Sequence, residues 1–457
     1  MKPSNFVVYI TCLLWLNLTD AKIGYFWHIT DLHYDPFHNS PEYHRGCRHS
    51  HGTNEHSHRN GRHRDHTCDS SWSLIQSAAA FMAERHPDTL EFVLWTGDIL
   101  SSSMEHVSEE LKLEAVRNVT DVLSRTFSSQ FVFPALGHND PPPSRKLVDM
   151  WMQWLPTEAM LTFETGGYYT IEQSHSKLRI VVLNSVLWAG GAARVDGPNR
   201  GRAQWEWLEQ VLSKAKRKSE MVYLVAHAGP GVVEHHNAGS SSAAGGGELT
   251  PAANTRLLHI IRAYSDVIAG QFYGHRHADT FRLIYSEGRP VSWAFLAPSV
   301  TPRGAGSVSN PGLRLYKFKL ITGQVLDYTQ YYLDVSSKGE AHWSVEYNLT
   351  QYYGLREVSS TSLHNLAERI RNHHDRGYFA KYLSALRVRH STDISECDTT
   401  CAHVHFCAIT RADYHEFRTC VRNPASALAS RAPHNSAAIF VYAILILITS
   451  QWNVTFK

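Results

Sequence analysis

The chain has 457 residues, 43% of them hydrophobic and 11% aromatic, a globular composition with enough apolar surface for one large domain or two ordinary ones. A formal net charge of +2 offers no basic surface for a nucleic-acid polymer, so none is expected as a partner. The unusual count is 29 histidines, which makes the positive charge rise steeply in a mildly acidic compartment.

In chain order, Met1-Lys2 and the apolar run 6–18 read as a signal peptide over 1–21, with cleavage near Ala21. The mature chain is therefore expected outside the cytosol: secreted, on the outer face of the plasma membrane, or in lysosomes. Cys12 falls in the removed segment. The remaining six cysteines are an even set that favours three disulfides in an oxidising compartment. Proximity suggests Cys47 with Cys68, Cys397 with Cys401 and Cys407 with Cys420, although spacing alone does not fix connectivity. Asn118-Val119-Thr120 and Asn348-Leu349-Thr350 are glycosylation acceptors suited to the same compartment.

A series of apolar, strand-like runs follows, each ending in a residue that can bind a metal. The run 25–29 delivers Asp31 and His33, which two-residue spacing would place on one side of a strand end. Residues 44–66, with seven histidines and five arginines, read as a polar, solvated loop able to collect metal ions. A helix is expected over 73–84, capped by Asp69 and Ser70. The run 92–97 then delivers Asp98. After a second helix over 111–127, the run 131–137 delivers His138 and Asn139. The run 179–183 ends in Asn184, held as a group supporting the ligands from behind. Following a third helix over 205–216, the run 221–226 delivers His227. Residues 238–247 are Ala/Gly/Ser-rich and read as a flexible loop. The run 267–274 delivers His275 and His277. Strands at 314–318 and 328–332 close the series. Strand, ligand loop and helix alternate, which is an α/β pattern.

The expected divisions are a main domain over 22–335, a helical disulfide-bearing subdomain over 336–423, and a spacer with hydrophobic tail over 424–457. Within that tail, 437–448 is apolar but only about 18 Å long as a helix, against roughly 30 Å of bilayer core. Small residues around Ala425-Ser426-Ala427 precede it, the layout of a glycolipid-anchor signal. An anchored form, a short transmembrane helix and a cleaved soluble form all stay open, so a membrane surface is a candidate partner through the tail.

One histidine or aspartate at a strand end is weak evidence, being more often satisfied by hydrogen bonds. Here the order matters: Asp31-Leu32-His33, then Gly97-Asp98, then Gly137-His138-Asn139-Asp140, then His227, then Gly274-His275-Arg276-His277. This series resembles the calcineurin-like metallophosphoesterases. The resemblance implies a four-layer α/β sandwich of two mixed sheets flanked by helices, with a metal pair at the strand ends. It implies that Asp31, His33 and His277 hold one metal, that His138, His227 and His275 hold the second, and that Asp98 bridges them. Mixed carboxylate and imidazole ligands suit two zinc ions, or another divalent transition metal.

Further segments, among them Phe26-Trp27-His28-Ile29-Thr30-Asp31-Leu32-His33, Leu94-Trp95-Thr96-Gly97-Asp98 and Gln271-Phe272-Tyr273-Gly274-His275, are similar to the acid sphingomyelinase-like phosphodiesterases. Asn310-Pro311-Gly312-Leu313-Arg314-Leu315 and the last four cysteines are similar too. Few residues separate the signal peptide from Asp31, so the expectation is the short branch without a saposin domain. That resemblance implies hydrolysis of small nucleotide-type or choline-type phosphodiesters, with sphingomyelin as a lipid alternative.

Two departures bear on chemistry. The family reads Gly-Asn-His where this chain reads Gly137-His138-Asn139. Imidazole serves as a metal ligand at position 138, but the amide of Asn139 has no proton to give. The family also has a histidine four residues beyond Asp98, where this chain has Ser102, and His106 resembles a displaced version of it. Either an active phosphodiesterase takes its leaving-group proton from His106 or a metal-bound water, or a weakened enzyme persists as a metal-binding surface glycoprotein that binds phosphodiesters.

Overall fold

The computed structural model describes residues 22–38, 68–85, 88–173, 176–190, 197–232, 248–303, 309–336, 342–372, 375–390 and 397–423. The signal-peptide run, Cys47 with most of the histidine-rich loop, the 238–247 loop and the C-terminal tail lie outside the described residues.

In chain order the strands are β1 (Ile23–Ile29), β2 (Leu90–Trp95), β3 (Phe131–Pro134), β4 (Tyr169–Glu172), β5 (Leu178–Val182), β6 (Met221–Val225), β7 (Ile268–Tyr273), β8 (Thr280–Ser286), β9 (Arg289–Leu296), β10 (Gly312–Lys319), β11 (Val325–Leu333) and β12 (Trp343–Asn348). They form two six-stranded sheets, ordered β12-β11-β10-β1-β2-β3 and β4-β5-β6-β7-β9-β8. In the first, β1, β2 and β3 run parallel, and β10 to β12 add antiparallel. In the second, β5, β6, β7 and β9 run parallel, with β4 and β8 antiparallel at the edges.

Side-chain alternation along the strands creates the layers. In β1, Phe26 points inward and stacks on Phe92 and Tyr316 at centroid distances of 4.8 and 4.7 Å, and its edge contact with Phe272 of the opposite sheet is 5.4 Å. The next residue, Trp27, faces the other way, onto Phe81. In β6, Tyr223 and Val225 join the core between the sheets, while Val222 and Leu224 join a second core outside. The inner core is rich in aromatic rings, each burying a large area.

Helices cover both outer faces, giving the expected four layers. On the first sheet lie α1 (Trp72–Ala83) and α2 (Glu109–Thr126), followed by the short α3 (Arg145–Trp151) and α4 (Thr157–Gly166). The second sheet is covered by α5 (Gly197–Lys218) and α6 (Pro251–Ala263), through Leu208, Leu212, Leu257 and Ile261. The cap of α1 is Ser71, whose hydroxyl accepts from the Leu74 amide. Asp69, expected as a cap, instead accepts from Ser101 and Arg303.

Beyond β12 the chain is helical: α7 (Leu349–Tyr353), α8 (Ser360–Arg371), α9 (Gly377–Leu386), α10 (Thr399–Thr410) and α11 (Tyr414–Arg422). These helices do not stand apart. Phe379, Tyr382, Phe406 and Ile409 belong to the same core as Phe26. The first sheet also crosses the expected division at 335, since β12 pairs with β11. Cys397–Cys401 and Cys407–Cys420 are disulfides, as spacing suggested. Cys68 is also disulfide-bonded, while its expected partner Cys47 lies outside the described residues.

Of the two glycosylation acceptors, Asn118 is exposed on α2. Asn348 is half-buried, and its amide donates to Thr329 Oγ1 at 2.7 Å. Among the described residues no helix is long and apolar enough to cross a membrane.

Candidate metal centre

The candidate ligands gather just beyond the C-terminal ends of β1, β2 and β3 from one sheet and β6 and β7 from the other. Crevices outside the carboxyl ends of parallel strands are the usual ligand sites of α/β sheets. Two groups form: Asp31, His33 and His277, and Asp98, His138, His227 and His275, each with ligand atoms within 4.8 Å of one another.

The pleat of a strand is not what aims these side chains. β1 ends at Ile29, and Asp31, His33, Asp98, His275 and His277 all have positive φ, from 42° to 68°. Among the described residues, five of the nine non-glycine residues with positive φ are thus candidate ligands, and strain of this kind concentrates at functional sites. The left-handed turns are tied down by the neighbouring strand: Asp31 N–H donates to Gly97 O and His33 N–H to Asp98 O, both at 3.0 Å. Close approach also demands glycine at two positions. A Cβ on Gly137 would collide with Asp98, and one on Gly274 with Thr30 and Asp31.

On a pleated strand the adjacent side chains of His138 and Asn139 would point apart, and here too the pleat does not apply. Strand β3 ends at Pro134, and His138 and Asn139 lie in a turn, so these adjacent side chains do not point apart. His138 Nδ1 lies 3.1 Å and Asn139 Nδ2 2.9 Å from the same atom, Asp98 Oδ2. Asp140 accepts from the amides of Gly137, Ile99 and Leu100 and so ties this turn to the one after β2.

Asp98 Oδ2 faces both groups, 3.5 Å from His33 Nε2 on one side and 3.5 Å from His227 Nε2 on the other. Asp31 Oδ2 accepts from Thr30 and from the His275 amide, both at 2.7 Å, but its Oδ1 is buried and takes no hydrogen bond from a described residue. That orphaned oxygen lies 3.4 Å from His277 Nε2. Imidazole nitrogens also face one another: His33 with His277 at 3.1 Å, His227 with His275 at 2.9 Å, and His138 with His227 at 3.3 Å.

Backbone carbonyls take the far proton in two cases. His227 Nδ1 lies 2.8 Å from Thr96 O and His277 Nδ1 2.7 Å from Arg303 O, which leaves both Nε2 lone pairs directed inward. Lone pairs and an unpaired carboxylate oxygen converging on one space fit divalent cations.

The electrostatics hold both carboxyls in the ligating form and divide the imidazoles, His138 and His227 toward neutral and His33 and His275 toward charged. Burial opposes ionisation of Asp31 and Asp98, yet the surrounding histidines hold both carboxyls below the usual range, His277 first for Asp31 and His227 first for Asp98. Burial lowers His227 and brings His138 down to about 4, favouring neutral imidazoles. Burial likewise works against a charge on His33, but Asp31, Asp98 and Asp69 prevail and lift it to about 9.

Two expected residues stand outside the groups. Asn184 caps a short 3-10 turn, accepting from Val186 N–H and donating to Gly166 O, because its backbone curls away from the cleft after β5. His106 is exposed in a turn, and no hydrogen bond or ion pair links it to the groups among the described residues. Sequence reading overlooked Glu248, whose Oε2 lies 2.7 Å from His275 Nε2, and Arg303 and Thr96, which act through main-chain oxygens that no side-chain pattern reveals.

Two histidine–aspartate groups sharing one carboxylate, at strand ends of two facing sheets, define a dinuclear metallophosphoesterase-type site. The family model for the acid sphingomyelin phosphodiesterase C-terminal region matches residues 289–427. The cyclic GMP-AMP phosphodiesterase SMPDL3A of Rattus norvegicus is 35% identical over 92% of this chain and 99% of its own length. Its Homo sapiens counterpart is 34% identical, and the Homo sapiens acid sphingomyelinase-like phosphodiesterase 3b 32%, each over 88% of this chain and 90% of its own. Among solved structures, a dimetal phosphatase from Danio rerio superposes over 71% of this chain and 99% of its own, with a TM-score of 0.44 and 14% identity. The chain belongs to the acid sphingomyelinase-like phosphodiesterase family, and it is a phosphodiesterase of that family.

Proposed function

We propose that the chain is a zinc-dependent enzyme of the cell exterior or lysosome that hydrolyses nucleotide-type phosphodiesters. The observation that supports it most is Asp98 Oδ2, within 3.5 Å of histidine nitrogens from both groups. Asp31, His33 and His277 would hold one ion, His138, His227 and His275 the other, with Asp98 between them. Two such ions, when bound, make hydroxide available near neutrality and offset the charge of a phosphoryl group. Nitrogen-rich ligation favours zinc. The names of the SMPDL3A relatives make cyclic GMP-AMP the first substrate to try, ahead of choline phosphodiesters and sphingomyelin. The two disulfides and the signal-like N-terminus support an oxidising compartment.

The chain's own groups set a limit on the leaving group. Asn139 orients Asp98 by its backbone and side-chain N–H groups, at 3.0 and 2.9 Å, and carries no titrating proton. Protonation of a poor leaving oxygen therefore falls to water, since His106 is exposed in a turn and unlinked to the groups among the described residues. Esters with good leaving groups need no such proton.

The test is hydrolysis of cyclic GMP-AMP, CDP-choline, sphingomyelin and an activated aryl phosphodiester by the purified chain, with and without chelator. Chelator-sensitive turnover of cyclic GMP-AMP above the choline esters is the expected result. Turnover of sphingomyelin alone would reassign the substrate, and binding without turnover of any ester would favour the weakened, ligand-binding alternative.

A further inference from the structure

Glu248 belongs to no motif in the sequence, yet it makes the one carboxylate contact to the outer nitrogen of a candidate ligand among the described residues. Its Oε2 lies 2.7 Å from His275 Nε2. A carboxylate can only accept there, so Nε2 carries a proton and Nδ1 is the nitrogen left for a metal. That Nδ1 lies 2.9 Å from His227 Nε2, itself a lone pair because Thr96 O takes the Nδ1 proton.

The geometry holds the pair in place from several directions. The His275 amide donates to Asp31 Oδ2 at 2.7 Å and the residue has φ 68°, which places its Cα but leaves ring rotation to be set. Arg276 Nη1 donates to Glu248 Oε1 at 3.2 Å, so consecutive residues of one turn clamp the ring and the carboxylate against each other. On its own side, Glu248 is anchored by an isolated bridge between Leu249 and Ala189, and Thr250 caps α6 through the Ala253 amide.

We propose that Glu248, held by Arg276, is a positioning residue that fixes His275 as an Nδ1 ligand and selectively tightens the metal position built from His138, His227 and His275. This rests on the two-metal reading given above. His227 and His277 are oriented by neutral carbonyls, whereas His275 is backed by a full negative charge, which raises the basicity of its ligating nitrogen.

The test is zinc titration of the full chain against a chromogenic chelator, comparing the natural protein with Glu248→Ala, Glu248→Gln and Arg276→Met. Thermal unfolding of each metal-free variant accompanies it. The natural protein should bind two equivalents. Glu248→Ala should weaken one of them by about 10–100-fold, the range for lost partners behind a ligand, and leave the other unchanged. Glu248→Gln, which keeps an acceptor oxygen, and Arg276→Met should lose less. Unchanged affinity at both positions in Glu248→Ala overturns the proposal, as does an equal loss at both with a lower metal-free unfolding temperature. No zinc bound by the natural protein overturns the two-metal reading itself, and this inference with it.

Discussion

Two of the places where the described residues bury charge are finished differently. Around Arg314, fully buried in β10, the charge is paired from within: Asp279 at 2.5 Å, Gln330 Oε1 at 2.8 Å, Leu296 O at 3.3 Å, and the Tyr328 ring 4.1 Å from the guanidinium carbon. Tyr347 donates to the far oxygen of Asp279. Around Asp98, imidazole nitrogens of four histidines crowd two carboxylates, and Asp31 Oδ1 takes no hydrogen bond from a described residue. A network of opposite charges joined to one another serves the fold, while nitrogens and carboxylate oxygens converging on one space suit a cation from outside. Predictions follow from that contrast.

The largest effect belongs to the open cluster. Asp98→Ala should abolish turnover and reduce bound zinc below two equivalents, measured by metal analysis beside activity. Zinc at 100 times its Kd should raise the stability of the natural protein by about 2.7 kcal/mol, seen as a shift in denaturant midpoint that Asp98→Ala lacks. Next in size, the double variant His138→Asn/Asn139→His should raise turnover of an unactivated phosphodiester by about 10²–10⁴-fold, the usual worth of a general acid, with little gain on an aryl ester. Equal gains on both esters would show that proton donation is not what the natural order lacks.

The closed network should respond in the opposite sense. Arg314→Met leaves Asp279 buried without its partner and should cost about 3–5 kcal/mol in denaturant unfolding, with zinc stoichiometry unchanged in the folded fraction. A smaller effect lies at its margin. Glu346 Oε2 is buried without a hydrogen-bond partner among the described residues, and burial, reinforced by Asp279, holds this carboxyl well above its usual pKa. A raised carboxyl favours folding below its unfolded pKa, and this contribution is lost as pH rises toward the folded value. Stability should therefore decline from mildly acid to neutral pH more in the natural protein than in Glu346→Gln, as compared by unfolding at several pH values.

Much of the site was legible because its residues are punctuated by the strands that present them. Apolar runs ending in Asp31, Asp98, His138, His227 and His275 mark both the sheet and the ligand positions. What failed was local geometry. Spacing on a pleat predicts that Asp31 and His33 share a side of the strand end, whereas positive φ at both, and a turn at His138 and Asn139, bring all four to one cleft. Glu248 was invisible because it follows a glycine-rich stretch and meets His275 only in three dimensions. Asn184 misled because a polar residue after a buried strand serves as a cap as readily as a support. Hairpin β8–β9 was missed altogether, since its buried arginine Arg282 and polar Ser292 disguise an inner strand pair.

The strand at Trp343–Asn348 has a practical meaning for anyone dividing this chain. It covers the open side of β11, whose residues from Thr329 to Leu333 pair with it. A fragment ending near residue 335 would leave that row of amides and carbonyls unpaired, a template on which a second molecule can add its own strand. Self-association of such a fragment would come from the cut, and a catalytic fragment has to extend at least through Asn348 to keep its sheet to itself.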